Sequence, residues 1–259
     1  MTTTIVIPCF NEERRLDQKA FLQLSEVEGV TLLFVDDGSF DGTIQILEEM
    51  SGKSTSIKLL ILPENLGKGN AIRAGVLQAA QEGAQIVGYL DADLATPIDE
   101  MVRIVETLKA KPAISVVLGA RVKRLGSTIE RRNVRHYAGR AYATGAALAL
   151  DIPVYDTQCG AKAMRVTPQL VAAFTEKFRS SWSFDVRLIH RLMSGTSSTT
   201  GLLSSEFYEM PLESWREVPG SKFRLRQGFK AVADLLAIAI SRKFKIHKRM
   251  NRDQRNVRA

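Results

Sequence analysis

Short apolar runs alternate with amphipathic stretches through the first half of the chain. Thr3–Ile7, Thr31–Val35, Ile57–Leu62, Ile86–Leu90 and Ile114–Leu118 are rich in Ile, Val and Leu and read as buried strands. Between them, Asp41–Met50 opens on an Asp cap and repeats Ile44, Leu47 and Met50 at helical spacing. Lys68–Gln81 places Ala71, Ile72, Gly75, Val76 and Ala79 on one face. Pro97 stands where a starting helix tolerates a missing N–H, and Met101, Val102, Val105 and Leu108 form the stripe that follows.

The second half is more mixed. Asn133–Leu150 reads as a helix full of Ala and Gly, Gly160–Val166 and Glu206–Leu212 as strands, and Thr167–Phe178 and Ser183–Met193 as helices, the latter capped by Ser183. Trp215–Arg226, with Pro219-Gly220, reads as a loop before a C-terminal helix. Strand–helix alternation of this kind specifies an α/β domain with a mostly parallel central sheet and helices on both faces. Ligands of such sheets bind beyond the carboxyl ends of the strands, so the residues just after each strand matter most.

Composition narrows the class. The 259 residues suit one α/β domain with additions, or at most two small domains. Cys9 and Cys159 form no metal-ligand spacing and read as reduced thiols, and His136, His190 and His247 are too scattered for a zinc site. No signal peptide is visible, and no apolar run has the ~18–20 residues of a spanning helix. The longest, Ala231–Ile240, contains Asp234. These features predict a cytoplasmic protein. Net charge is +8, and from Ser241 to Ala259 eight Lys and Arg face Asp253 alone, so the tail holds +7 of it. Such a tail is either merely solvated or a surface for anionic lipid or nucleic acid. It is poor in interleaved aromatics, which argues against single-stranded nucleic acid. The stripe Phe229, Val232, Leu235, Leu236, Ala239 just before it reads either as core packing or as an interfacial helix.

Every predicted strand in the first half ends in polar chemistry. The ends are Pro8-Cys9-Phe10-Asn11-Glu12, Asp36-Asp37-Gly38-Ser39, Asn65-Leu66-Gly67-Lys68-Gly69, Asp91-Ala92-Asp93 and Gly119-Ala120-Arg121. If the backbone stays extended, Asp91 and Asp93 face the same way. Two carboxylates that close repel unless a cation neutralises them. Mg²⁺ or Mn²⁺ held by one or two carboxylates and completed by substrate phosphates fits; taken alone, the pair reads first as a loop with a helix cap nearby. Asp36-Asp37-Gly38-Ser39 is either a strand-ending turn or a source of a carboxylate for a base or ribose. Asn65–Gly69 eases a helix N-terminus toward phosphate, with Lys68 adding charge. It lacks P-loop spacing, and no GxGxxG follows the first strand, which weighs against kinase and dinucleotide-oxidoreductase readings.

PCFNE (8–12), VDDGSFDGT (35–43), NLGKGNAIRAG (65–75) and DADLATP (91–97) together resemble family 2 glycosyltransferases of the A-type fold. DTQCGAK (156–162), WSFDVRLI (182–189) and PLESWREVPGSKFR (211–224) are similar to dolichyl-phosphate glucosyltransferases, with dolichyl-phosphate mannose synthases as near relatives. The resemblance implies that Pro8, Phe10, Glu12, Val35 and Asp37 surround the nucleobase and ribose. It implies that Asp91, Ala92 and Asp93 hold ribose, diphosphate and metal, with Asp91 and Asp93 as metal ligands, and that Arg121, Arg216 and Lys222 grip phosphates. Some mannose synthases place a further ligand where this chain has Ala95. Residues 1–212 would form the catalytic domain, 213–241 an acceptor loop and amphipathic helix, and 242–259 a basic tail at an anionic membrane surface.

The implied reaction is an inverting transfer of a hexose, glucose from UDP-glucose, to a polyprenyl (dolichyl) phosphate, with GDP-mannose as the alternative donor. A non-catalytic nucleotide-sugar or nucleic-acid binding protein is the alternative of another class. A phosphate acceptor is already mostly ionised at neutral pH and needs orientation more than deprotonation. Asp156 and Asp185 are the candidate acids on the acceptor side, Asp156 slightly favoured. Asp185 also suits the first turn of a helix, where the dipole favours a carboxylate, and Asp156 a turn after Pro153.

Overall fold

The computed structural model describes residues 1–130, 133–179, 183–196, 199–218 and 233–240, with the backbone alone over 133–138. Strands β1 (Thr3–Cys9), β2 (Val30–Asp36), β3 (Ile57–Ile61), β4 (Ile86–Leu90), β5 (Val116–Ala120), β7 (Ala161–Arg165) and β8 (Phe207–Pro211) form one sheet. Its order is β3-β2-β1-β4-β7-β5-β8. All neighbours pair in parallel except β7, which runs antiparallel to both β4 and β5. The mostly parallel α/β sheet expected from the apolar runs is therefore the observed one.

Side-chain alternation builds a core on each face of the sheet. Ile5, Ile7, Leu32, Phe34, Ile86 and Leu90 pack on one side under α1 (Gln18–Ser25), α2 (Thr43–Lys53) and α4 (Ile98–Ala110). Val6, Leu33, Val35, Val87 and Tyr89 pack on the other under α3 (Lys68–Gln81), α5 (Asn133–Leu150), α6 (Pro168–Thr175) and α7 (Phe184–Ser194). With both faces covered, β4 and β5 are buried at every position, the reason they read as continuous apolar runs.

The structure corrects several local expectations. Helix α1 did not stand out in the sequence. Asp17 caps it by accepting from the Ala20 N–H, and Phe21 and Leu24 anchor it. Pro97 is the cap residue of α4 rather than its first helical residue. Ser183 precedes α7 without a capping hydrogen bond, because its hydroxyl bonds the carboxylate of Asp234 instead. Where the stretch read as a loop begins, Ser214–Arg216 forms β9, which pairs in parallel with β6 (Thr128–Glu130) in a second, two-stranded sheet.

Residues 233–240 are helical. Leu235, Ile238 and Ala239 pack on the second core, and Arg187 Nη2 lies 3.2 Å from Asp234 Oδ1. Leu236 and Ile240 are exposed. The packing reading therefore applies to one side of this helix, while Phe229, Val232 and the tail from residue 241 lie outside the described residues. Among the described residues no helix is long and apolar enough to cross a membrane.

Candidate active site

Strand order reverses direction between β1 and β4, the switch point where parallel sheets open a crevice for ligands. The loops after β1, β2 and β4 meet there. Asn11 N–H donates to Ser39 Oγ at 2.9 Å and Phe40 N–H to Asn11 Oδ1 at 3.0 Å, which ties the first two loops together. The Phe10 and Phe40 rings stack edge to face at 5.9 Å. Phe40 is highly exposed and absent from the sequence-based site. Its apolar character in an otherwise polar loop was the available signal.

The candidate nucleotide residues divide into those at the crevice and those beneath it. Asp37 accepts from the Leu66 and Gly67 N–H groups, both at 2.8 Å, and so fastens the loop that begins α3. Burial raises its pKa despite these two bonds. Glu12 is buried, with Arg15 Nη2 2.5 Å from its Oε1. Pro8 is half-buried at the crevice end of β1. Val35 is fully buried in the second core, and Ala92 lies in the first, so Ala92 can offer a ligand only its backbone. Asp36, buried beside Asp37, accepts from Ser39 N–H through Oδ2, while its Oδ1 has no hydrogen-bond partner among the described residues.

The two acidic residues after β4 come together by a turn, not by a continued pleat. Strand β4 ends at Leu90, and Leu94 N–H returns to the Asp91 carbonyl at 3.2 Å. Leu94 takes a φ of 48°, a left-handed conformation costly for Leu and characteristic of functional loops. Asp93 accepts from the Ala95 N–H at 3.1 Å. Burial, then the charge of Asp91, raises the Asp93 pKa. Gly160 packs against the Asp91 carboxylate so closely that a Cβ there would stand 2.2 Å from Oδ2. Lys68 Nζ lies 2.6 Å from Asp91 Oδ1, an ion pair that leaves this oxygen without a further partner among the described residues. Among the described residues no cluster of three or more His, Cys, Asp or Glu forms a metal cage. A crowded carboxylate pair with an unsaturated oxygen does fit a cation whose remaining ligands come from phosphates.

On the acceptor side the two candidate acids are both engaged. Asp156 grips Arg121 in a fork, Nε to Oδ2 at 2.6 Å and Nη2 to Oδ1 at 2.8 Å, and also accepts from the Arg121 and Gln158 N–H groups. Burial opposes the guanidinium charge, but Asp156 outweighs it and raises the Arg121 pKa. The Trp215 ring lies 5.2 Å from the same guanidinium. Glu209 positions this turn by accepting from the Tyr155 and Asp156 N–H groups. Asp185 accepts from Lys162 Nζ at 2.7 Å and from the Tyr89 hydroxyl. Lys162, 1% exposed, also donates to the Cys159 carbonyl. Arg216 is exposed, and its N–H bonds the Ala95 carbonyl at 3.0 Å, which brings β9 alongside the acidic loop. Lys222 lies outside the described residues.

Comparison with known proteins identifies the family and the fold. The family described as glycosyl transferase family 2 matches residues 4–168. A dolichyl-phosphate beta-glucosyltransferase of Trichomonas vaginalis is 30% identical over 251 residues, covering 92% of this chain and 71% of that protein. Glucosyl-3-phosphoglycerate synthase from Mycobacterium tuberculosis, solved with Mn²⁺, UDP and glucosyl-3-phosphoglycerate, superposes with a TM-score of 0.66 at 19% identity. That alignment covers 93% of this chain and 79% of the other. The mannosyltransferase PcManGT from Pyrobaculum calidifontis, solved with GDP-mannose and Mn²⁺, gives 0.57 at 17% identity, covering 94% and 64%. These likenesses show the A-type glycosyltransferase fold. The family match takes in β1 to β5 and β7, and with them the loops that carry Asp37, Lys68, Asp91, Asp93, Arg121 and Asp156; the chain belongs to glycosyltransferase family 2.

Proposed function

We propose that this glycosyltransferase moves a hexose from a nucleoside diphosphate to a polyprenyl phosphate, with UDP-glucose as donor. The observation that carries the reading is that Asp156 and Asp185 both spend their charge on cations of the protein itself, half-buried Arg121 and buried Lys162. A sugar hydroxyl acceptor would need a carboxylate to take its proton. A phosphate monoester arrives largely ionised, with a second pKa of about 6, and asks instead for cations that orient it. Arg121, held by Asp156, suits that task, and the resemblance to dolichyl-phosphate beta-glucosyltransferases over most of the chain supports the same acceptor.

In this reading the crevice between β1 and β4 binds the nucleotide, with Phe10 beside the base. Asp91 and Asp93 would hold Mg²⁺ or Mn²⁺, which when bound supplies charge stabilisation to the departing diphosphate. Lys68 and Arg216 flank the same loop and add positive charge where the diphosphate develops its own. The acceptor phosphate attacks the anomeric carbon from the face opposite the leaving group, so the sugar inverts. Arg121 keeps the acceptor oxygen in line, and no proton is moved at that oxygen. A donor panel assayed with polyprenyl phosphate tests this directly. UDP release from UDP-glucose should exceed GDP release from GDP-mannose at least about tenfold, on the order of the discrimination one well-placed base contact provides. A clear preference for GDP-mannose would move the protein to the mannosyl branch, and turnover only with sugar acceptors would overturn the phosphate-acceptor reading.

The basic tail is proposed to bring the enzyme to anionic membranes without performing the chemistry. It carries +7 of the chain's +8 charge, and each Lys or Arg near an anionic surface contributes about 1 kcal/mol, fading with salt. Deleting residues 242–259 should strongly weaken binding to anionic vesicles and raise the KM for a long-chain lipid phosphate. Turnover with a short, water-soluble prenyl phosphate should change little. Equal loss on the soluble acceptor would instead make the tail part of the catalytic body.

A further inference from the structure

We propose that Lys68 is an internal competitor for the metal ligand Asp91 and makes metal binding conditional on a nucleoside diphosphate. The proposal rests on the nucleotide and metal reading above. Lys68 Nζ stands 2.6 Å from Asp91 Oδ1, and a dication on that oxygen would meet the ammonium at contact distance. Asp91 cannot resolve the conflict by turning away. The backbone at Gly160 closes on its other oxygen, and its N–H is bound to the Gly160 carbonyl at 3.1 Å. Lys68 can move. It is the first residue of α3, its side chain is 37% exposed, and its flexible stem carries a freely rotating head. Its contact with Asp91 is an ion pair at 2.6 Å, which a competing anion can take over.

Charge also sets where Lys68 goes. Asp91, Asp185 and Asp93 all act on the ammonium, so it leaves Asp91 only for an anion of comparable strength. A diphosphate lying across the N-terminus of α3 is such an anion. It draws Lys68 off Asp91 and at the same time provides the oxygens that complete the metal shell. Metal and nucleotide then bind cooperatively, and by linkage each strengthens the other by the same factor. The device excludes free metal from the site and admits it with the donor.

The test is titration of the full chain with Mn²⁺, followed by the electron paramagnetic resonance signal of free Mn²⁺, with and without UDP or GDP. A neighbouring unit charge changes the cation affinity of a carboxylate by about ten-fold or more. Lys68→Met should therefore bind Mn²⁺ alone about tenfold more tightly than the parent, while the gain in Mn²⁺ affinity caused by the nucleotide shrinks. Lys68→Arg, which keeps the charge, should behave as the parent. If Lys68→Met binds Mn²⁺ alone no more tightly, the competitor role is wrong while the nucleotide–metal site stands. If the parent binds no Mn²⁺ even with UDP or GDP, that site and the competitor role fall together.

Discussion

Replacing Asp93 with Ala should lower turnover by orders of magnitude while the protein stays folded. The fold has little to lose. Asp93 is half-buried, and the hydrogen bond described for it is from the Ala95 N–H at 3.1 Å, a contact worth about 1 kcal/mol. The chemistry has far more to lose. Burial and the neighbouring Asp91 both disfavour the ionised form of Asp93, so the pair is poised to gain from a cation. Removing one preorganised source of charge stabilisation in an active site costs about 10²–10³ in rate, and loss of a metal ligand belongs in that class. The measurements are kcat with Mg²⁺ or Mn²⁺ for parent and variant, the same assays in excess EDTA, and a melting curve. A variant that kept full activity in EDTA would sink the metal role of this residue.

The positions that proved easiest to read share a physical cause. Helix α3 begins and ends where its pattern does, because a long segment with one apolar face carries its periodicity internally, and α5 spans the whole Ala-rich stretch, since Ala is the strongest helix former. The strand-end loops were legible because a parallel sheet forces ligands to one edge. Helix α1 was not, since eight residues with two buried apolar anchors give little period. Strands β6 and β9 have three residues each and pair across a long stretch of chain, so no local pattern announces them. The geometry of the acidic pair is likewise not local, because the extended backbone on which its shared direction depended ends at Leu90. It depends on a turn closed at Leu94, and Leu is a residue that gives no warning of a positive φ.

The partners of the acidic groups were the least accessible part of the site. Lys162 lies within the motif DTQCGAK, and its signal was a lone charge in a buried strand of small residues. What it binds is set by tertiary structure. Asp185 arrives from α7, and the Tyr89 hydroxyl from β4 meets the same oxygen. A first-turn acid on a helix suggested either a base or a dipole partner, and the structure makes it the counter-ion of a buried lysine.

That role carries the second large effect. Asp185→Ala should destabilise the protein by about 3–5 kcal/mol, because breaking a buried pair strands its partner. Lys162 is 1% exposed and would keep the Cys159 carbonyl but lose the counter-charge described here. The Tyr89 hydroxyl, fully buried, would lose the acceptor described here. For a domain of this size each kcal/mol moves the melting temperature by about 2–4 °C, so the midpoint should fall by roughly 6–20 °C. The same physics predicts a rescue. Replacing both charges, Lys162→Met with Asp185→Leu, removes the pair and its desolvation cost together and should recover much of the loss. A melting series of the parent, Lys162→Met, Asp185→Leu and the double variant closes the cycle. If the double variant loses as much as the sum of the singles, the two residues are not coupled. If Asp185→Ala melts within about 2 °C of the parent, less than the shift expected from 1 kcal/mol, Asp185 is not holding Lys162, and its carboxylate returns as a candidate for the acceptor side.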